Sequence, residues 1–308
     1  MTLKLRGSMV ALVTPFRGDA IDEPALKRLI EMQIEAGTSA IVPCGTTGES
    51  ATLSFDEHDR VIELTVEAAR GRIPVIAGTG SNSTREAIRL TKHAKEAGAD
   101  AALLISPYYN KPTQRGLYLH FQAVAEAVDI PLVVYNIASR TAVNIEPETF
   151  VQLSEIPNIV GVKESSGNLE QMSRILQLTK GKLTLLSGDD GLTLPVLAIG
   201  GTGVISVVAN VVPRDVKAMV DAYVAGRQTE ALRWHEQLLP LTKAMFLETN
   251  PISVKTAMGL LGMIEPGLRL PLCEMSEANR ERLRSALHAY GLLKEGVRGT
   301  GRGAKVKT

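Results

Sequence analysis

Residues 73–106, IPVIAGTGSNSTREAIRLTKHAKEAGADAALLIS, contain one copy of the pattern that decides the fold. Apolar runs open and close the stretch, at 73–79 and 101–106, and the segment between them has the three-to-four-residue apolar spacing of a helix. Ser83 and Glu86 have the spacing of a capping box, and Gly98 stands where a helix commonly ends. The stretch therefore predicts a strand, a helix and a second strand.

The same alternation continues on both sides of this stretch. Continuous apolar strands that alternate with helices indicate a parallel sheet covered by helices, and eight such units in about 225 residues match a (β/α)8 TIM barrel, an α/β fold. A doubly wound sheet is the alternative, but no apolar run is followed by a G-x-G-x-x-G turn. The predicted strands are 8–14, 40–44, 73–79, 101–106, 131–136, 158–163, 183–188 and 203–209.

The alternation stops at residue 228, and the apolar spacing of the remaining segments is helical. The sequence therefore predicts a catalytic barrel domain over 1–227 and a C-terminal helical bundle, packed against the barrel, over 228–295. The segment 296–308, GVRGTGRGAKVKT, is rich in glycine and has no apolar periodicity, which predicts a flexible basic tail.

Charge and composition exclude several classes of function. The formal net charge of the 308 residues is +1, and the four basic residues of 296–308, a segment without acids, leave −3 on the preceding residues. Such a chain has no basic footprint for nucleic acid or for a membrane surface. Two cysteines suggest a reducing compartment, and no apolar run approaches the roughly 20 residues of a membrane span. We expect a cytoplasmic protein.

Lys163 is the last residue of the apolar run 158–163, and in a barrel the active site lies at these C-terminal strand ends. It is either a surface lysine that ends a strand in water or an amine held in a pocket for covalent chemistry. The second interpretation is favoured because hydroxyls, phenols, an arginine and glycines follow the neighbouring runs. These residues are Thr14, Thr46, Thr47, Tyr108, Tyr109, Tyr135, Arg140 and Gly188.

The histidines narrow the chemistry further. All five lie in helical segments rather than at strand ends, so the metal ligands of a metal-dependent aldolase are missing from the rim, and we expect neither a metal nor a cofactor. A desolvated amine can instead attack a carbonyl and form a Schiff base. Tyr135 is a candidate proton shuttle, the Thr46–Thr47 turn suits a carboxylate, and Arg140 suits a second carboxylate.

Taken together and in order, these motifs resemble the dihydrodipicolinate synthase family of pyruvate-dependent class I aldolase-like barrels. The resemblance covers about residues 5–293, and no single motif is decisive, whereas the ordered set is very specific. The motifs are GTTGES (45–50), AGTGSNST (77–84), PYYNKP (107–112), YNIASRT (135–141), GVKESSGN (161–168), LLSGDD (185–190), GVISVVAN (203–210) and NPISVK (250–255).

The resemblance implies a Schiff-base-forming lyase that condenses pyruvate with L-aspartate 4-semialdehyde to 4-hydroxy-tetrahydrodipicolinate, on the route to diaminopimelate and lysine. Lys163 would form the Schiff base, and Tyr135, Thr47 and Tyr109 would relay protons, the last from a neighbouring subunit. A homodimer is then the minimal unit and a homotetramer, a dimer of dimers, is expected. The implied substrate-binding residues are Thr46 and Thr47 for pyruvate, Arg140 for the semialdehyde, and Gly188 and Ile205.

The resemblance also implies a feedback site for L-lysine at the dimer interface, formed by Ser50, Ala51, His58, Asn82, Glu86 and Tyr108. Alternatively, Glu86 only completes a capping box with Ser83, and His58 is a solvated helix residue. Phe55 stands where enteric members have a histidine, which predicts weaker lysine binding. Ala138 stands where the family has a proline, which loosens the loop of Arg140 by about 1 kcal/mol of chain entropy.

Two alternatives remain. Sister enzymes with the same lysine and tyrosine, such as N-acetylneuraminate lyase and keto-deoxy-sugar aldolases, act on polyhydroxylated aldehydes, whereas Arg140 favours a dicarboxylic product. A non-catalytic keto-acid-binding protein is a second alternative, which the presence of Lys163, Tyr135, Thr47 and Tyr109 disfavours.

Overall fold

The structure is a computed structural model that describes residues 4–293. Eight parallel strands form one sheet in the order β2-β1-β8-β7-β6-β5-β4-β3, and a parallel bridge between Ile41 and Val75 joins the two ends, so the sheet closes into the predicted barrel. The strands are β1 Gly7–Ala11, β2 Ala40–Val42, β3 Ile76–Gly78, β4 Ala101–Ile105, β5 Leu132–Asn136, β6 Ile159–Glu164, β7 Thr184–Ser187 and β8 Gly203–Ser206.

The observed strands are mostly shorter than the predicted ones. The run 203–209 was expected to be all strand, but β8 ends at Ser206 and a 3-10 turn, Val208–Asn210, follows. Val207 and Val208 stay buried in that turn, so apolar character continues after the strand geometry has ended. A small hairpin that the sequence analysis did not predict, Phe16–Arg17 with Ala20–Ile21, follows β1.

Helices follow the strands as predicted, and most begin at a side-chain cap. Ser54 and Glu57 form a reciprocal capping box at the start of α2. At α3 the predicted box is only half present: Ser83 Oγ accepts from the N–H of Glu86, but the Glu86 carboxylate accepts from Ser81 Oγ instead. The barrel helices are α1 Glu23–Glu35, α2 Phe55–Ala69, α3 Thr84–Glu96, α4 Gln114–Ala127, α5 Pro147–Leu153, α6 Leu169–Thr179, α7 Thr193–Ala198 and α8 Pro213–Val224.

Three further helices, α9 Gln228–Ala244, α10 Ile252–Leu260 and α11 Glu277–Ala289, pack against the barrel. Their apolar side chains belong to the same buried cluster as Val10 of β1 and Val204 of β8. The domain limits 1–227 and 228–295 stay a prediction, and the predicted tail 296–308 lies outside the described residues. Within residues 4–293 no helix is long and apolar enough to cross a bilayer.

Candidate active site

Strand register places Lys163 inside the barrel beside Tyr135. The two residues are partners on the adjacent strands β6 and β5, so their side chains leave the sheet on the same face. Tyr135 belongs to the cluster that fills the barrel interior, together with Leu103, Val133 and Ile205. Lys163 is 6% exposed, and its Nζ lies 4.1 Å from the centre of the Tyr135 ring. The amine and the phenol therefore meet at the C-terminal mouth of the barrel.

The residues around Lys163 leave its amine without an ionic partner. Glu164, the next residue, points to the other face of β6, where its carboxylate accepts from Asn136 Nδ2 at 3.0 Å and from the N–H of Ser166 at 2.7 Å. Burial raises the pKa of Glu164, and these hydrogen bonds oppose the rise. Among residues 4–293 no carboxylate lies within 4 Å of Lys163 Nζ, so the amine is not held in a salt bridge.

Gly188 provides the room that the lysine occupies. A Cβ at this position would lie 2.9 Å from Lys163 Cε and 1.9 Å from Ser165 Oγ. Any larger residue would therefore displace the side chains of Lys163 and Ser165. Gly188 is held there by a hydrogen bond from its N–H to the Glu164 carbonyl, at 2.9 Å. Ile205, which is predicted to bind substrate together with Gly188, is 1% exposed and lies in the interior cluster with Tyr135.

A cleft of about 510 Å³ opens above the barrel mouth. Thr46, Tyr135 and Arg140 line its wall, together with Asn250 of the segment before α10. Lys163 and Thr47 are not part of the wall. They lie behind it, Lys163 against the Tyr135 ring and Thr47 against Asn250, whose Nδ2 donates to Thr47 Oγ1 at 3.0 Å.

Arg140 lies in a one-turn helix, Ala138–Thr141, that was not predicted. Its side chain is exposed to the cleft, and Nη2 donates to the backbone carbonyl of Asn250 at 3.1 Å. Ala138 is the first residue of this turn, a position that proline tolerates well because its N–H has no helical partner. The contact with Asn250 anchors the guanidinium independently of residue 138.

The turn that carries Thr46 and Thr47 is braced by a buried ion pair that the sequence analysis missed. Lys255 of α10 is 0% exposed, and its Nζ donates to Glu49 Oε1 at 2.6 Å and to the Thr14 carbonyl at 2.9 Å. Thr14 Oγ1 in turn donates to the Gly48 carbonyl at 2.7 Å. Burial lowers the pKa of Lys255, and Glu49 opposes that shift. The partners are 206 residues apart, so no local pattern signals them.

Five of the six predicted regulatory residues line the same cleft as Tyr135. Ser50, Ala51, His58, Glu86 and Tyr108 all contribute to its wall. His58 is 5% exposed rather than solvated, with Nε2 2.9 Å from the Gly78 carbonyl, and burial lowers its pKa to about 4.

The remaining predicted residues lie at the outer edge. Asn82 does not line the cleft, but its Nδ2 donates to the Tyr108 carbonyl at 3.2 Å and so holds the tyrosine loop. Phe55 lines the cleft and is 50% exposed. Tyr109 is 88% exposed and does not line the cleft.

The chain is similar to known proteins along nearly its whole length. The sequence profile of the Dihydrodipicolinate synthetase family matches residues 4–290. The 4-hydroxy-tetrahydrodipicolinate synthase of Syntrophus aciditrophicus (strain SB) is 58% identical over 288 residues, which cover 94% of this chain and 99% of that protein.

Solved structures agree with the sequence comparison. A chloride-inhibited dihydrodipicolinate synthase from Acinetobacter baumannii, complexed with pyruvate, superposes with a TM-score of 0.92 at 46% identity and covers 94% of this chain and 100% of that chain. A dihydrodipicolinate synthase from Cyanidioschyzon merolae with lysine bound gives a TM-score of 0.90 at 44% identity, covering 93% of this chain and 99% of that chain.

Proposed function

Since the chain belongs to the dihydrodipicolinate synthetase family, we propose that it condenses pyruvate with L-aspartate 4-semialdehyde to 4-hydroxy-tetrahydrodipicolinate and water. The observation that carries this proposal is the buried amine of Lys163 against the Tyr135 phenol, at the mouth of the barrel. A pyruvate-bound relative of the same fold supports the choice of the first substrate.

Lys163 forms the covalent intermediate. Its unprotonated Nζ attacks the keto carbon of pyruvate, the carbonyl oxygen takes a proton, and loss of that oxygen as water leaves an iminium. The iminium withdraws electrons, so a methyl proton can leave and an enamine results. The enamine carbon bonds to the aldehyde carbon of the second substrate, the aldehyde oxygen takes a proton and becomes a hydroxyl, and the lysine nitrogen returns to an iminium. The amino group of that substrate then attacks the imine carbon, which closes the ring and releases Lys163 as a free amine.

Tyr135 is placed to move the protons that these steps require. The face of its ring packs against Lys163 Nζ and its side chain lines the cleft. We assign Thr47 and a neighbouring subunit's copy of the exposed Tyr109 to the rest of the relay. Thr46 and Thr47 hold the pyruvate carboxylate, and Gly188 and Ile205 shape the space beside Lys163 and Tyr135.

Arg140 selects the second substrate. Its guanidinium is exposed at the cleft and held by a backbone carbonyl, which leaves its other donors for a carboxylate. This feature favours L-aspartate 4-semialdehyde over the polyhydroxylated aldehydes of the sister aldolases. A keto-acid-binding protein without catalysis would not need the Lys163–Tyr135 pair.

We further propose a cytoplasmic homotetramer, a dimer of dimers, that L-lysine inhibits. Exposure of Tyr109 supports an interface at this rim, because a second chain is needed to bring that phenol to a site. The wall residues Glu86 and Tyr108, with Asn82 behind them, support the lysine site, and a relative of the same fold has lysine bound.

Reductive trapping tests the function directly. Pyruvate with borohydride should add one reduced adduct per chain, located at Lys163 by peptide mass spectrometry. Lys163→Ala should abolish both the adduct and the condensation, whereas Lys182→Ala, at an exposed lysine, should change neither. An undiminished adduct in Lys163→Ala would refute the assignment. Coupled assays with the semialdehyde and with sugar aldehydes then distinguish this synthase from its sister enzymes.

A further inference from the structure

Asn250 contacts two residues to which the proposed function gives different tasks. Its side-chain Nδ2 donates to Thr47 Oγ1 at 3.0 Å, and its backbone carbonyl accepts from Arg140 Nη2 at 3.1 Å. Asn250 is 7% exposed and lines the cleft with Tyr135. A substitution at this position therefore changes the contact with Thr47 and leaves the carbonyl that binds Arg140.

The direction of the hydrogen bond to Thr47 matters because a hydroxyl has only one proton to donate. Thr47 Oγ1 is the acceptor in the bond with Asn250, so its own proton is not used there. Across residues 4–293 no acceptor pairs with that proton. The amide thus leaves the threonine as a donor, which is the state that a relay to a phenol requires.

The segment that carries Asn250 is fixed on both sides. The N–H of Glu248 donates to Ser253 Oγ at 3.1 Å, which ties the turn to α10. The Glu248 carboxylate accepts from Ser276 and Asn279 at the start of α11, and these hydrogen bonds lower its pKa. The backbone turn that carries Asn250 is therefore held in place before any substrate binds, while the Oδ1 atom of its amide has no partner among residues 4–293.

We propose that Asn250 is a positioning residue that sets the direction of the proton relay. Its amide N–H donates to Thr47 Oγ1, and this bond turns the threonine proton toward Tyr135. This inference rests on the proposed Schiff-base chemistry at Lys163. It does not depend on the identity of the second substrate.

Asn250→Asp is the sharpest test, since it keeps the shape and replaces the donor with an acceptor. An ionised carboxylate would draw the threonine proton toward itself and away from the relay. Asn250→Ala removes the contact and admits water, so its effect should be smaller. The readouts are exchange of the pyruvate methyl protons with deuterated water, which needs no second substrate, and kcat and KM for the complete reaction.

We expect Asn250→Asp to slow both the exchange and kcat by roughly 10- to 100-fold, part of the gain that a positioned proton-transfer group supplies. The KM for the semialdehyde should stay within about twofold, since Arg140 keeps its backbone partner. A role in folding alone would not produce this separation of kcat from KM. Each variant is first shown to form the full pyruvate–borohydride adduct after long incubation, which counts the folded sites.

A double-mutant cycle with Thr47→Val decides whether Asn250 acts through Thr47. In the Thr47→Val background neither Asn250→Asp nor Asn250→Ala should slow the exchange further. Effects that multiply, or a wild-type exchange rate in Asn250→Asp, would overturn the inference. If Asn250→Asp does not fold, the cycle with Asn250→Ala gives the same decision. A wild-type protein without adduct would instead refute the proposed function.

Discussion

The floor and the rim of the cleft differ in how far one chain buries their residues. We define the floor as Lys163, Tyr135 and Thr47, and the rim as Tyr108, Tyr109 and Phe55. The floor residues are buried, with exposures of 6%, 5% and 2%, whereas Tyr109 is 88% exposed and Phe55 50%. Strand register fixes the first two floor residues side by side, and Asn250 holds the third.

Two of the three rim residues, Tyr108 and Tyr109, lie in the loop between β4 and α4. Tyr109 and Lys111 have φ angles of 73° and 45°, a left-handed conformation that is uncommon for residues with large side chains. Strained loop residues of this kind persist where the surroundings hold them, commonly at functional sites. The comparison teaches that one chain buries the residues proposed for the covalent chemistry, whereas the proposed role of Tyr109 requires a second copy of the chain.

The largest effect after loss of the lysine is expected at the floor. Tyr135→Phe removes the phenolic proton and keeps the ring that packs on Lys163, so the fold should survive. The kcat should fall by roughly 10²- to 10⁴-fold, the usual contribution of a positioned proton-transfer group. Steady-state rates, compared with adduct formation by pyruvate and borohydride, check this result. Normal turnover in the variant would remove Tyr135 from the relay.

A mixed oligomer tests whether the rim is completed by another chain. Tyr109→Phe and Lys163→Ala should each have little activity alone. When the two chains are co-expressed, a mixed dimer contains one site with both changes and one site with neither. Because random pairing makes half the dimers mixed, about a quarter of wild-type activity should return if Tyr109 acts across a two-fold interface. No recovery in mixed dimers isolated with two different tags would place Tyr109 in its own chain's site.

The positions of Lys163 and Tyr135 in the floor could be predicted from the sequence because local patterns determine the strands that carry them. A parallel strand buried on both faces is a continuous apolar run, so all eight strands were identified, and Lys163 was placed at the end of one of them. The apolar pattern does not determine where a strand ends, since Val207 and Val208 remain buried after β8 has ended.

The braces of the site could not be predicted in the same way. Asn250 meets Thr47 across 203 residues, and Lys255 meets Glu49 across 206. Each pair joins a loop of the barrel to the segment around α10. Neither pair has a spacing in the sequence that distinguishes it from polar residues exposed to solvent. The capping box at Ser83 was half wrong for a related reason, because Ser81 competes for the Glu86 carboxylate.

A smaller effect is expected at Arg140, which lines the wall of the cleft. Arg140→Ala should raise the KM for the semialdehyde by roughly 10- to 100-fold, because a hydrogen bond to a charged group contributes about 1.5–3 kcal/mol. Trapping of pyruvate should be unchanged, since Lys163 does not contact Arg140. Arg115→Ala, at an exposed arginine of α4, is the matched control and should change neither quantity. Failure of trapping in a folded Arg140→Ala protein would move the arginine to the first substrate.

The smallest effects should come from the part of the wall proposed to bind L-lysine, and they should leave uninhibited catalysis intact. Free lysine has two ammonium groups and one carboxylate, so its site needs an anion, polar groups and an apolar wall for the methylene chain. Glu86, Asn82 and Tyr108 supply these features at or beside the cleft. Glu86→Ala should therefore weaken inhibition by L-lysine roughly tenfold or more, the value of a charged hydrogen bond.

Phe55→His should have the opposite effect and strengthen inhibition, because a ring nitrogen at this exposed position adds a polar partner for L-lysine. Initial rates at increasing L-lysine should show stronger inhibition in Phe55→His than in the wild type, and weaker inhibition in Glu86→Ala. Glu96→Ala, at an exposed acid near the end of the same helix α3, should behave as the wild type. If millimolar L-lysine leaves the wild-type rate unchanged, or if Glu86→Ala is inhibited as strongly as the wild type, these wall residues belong to the catalytic cleft alone.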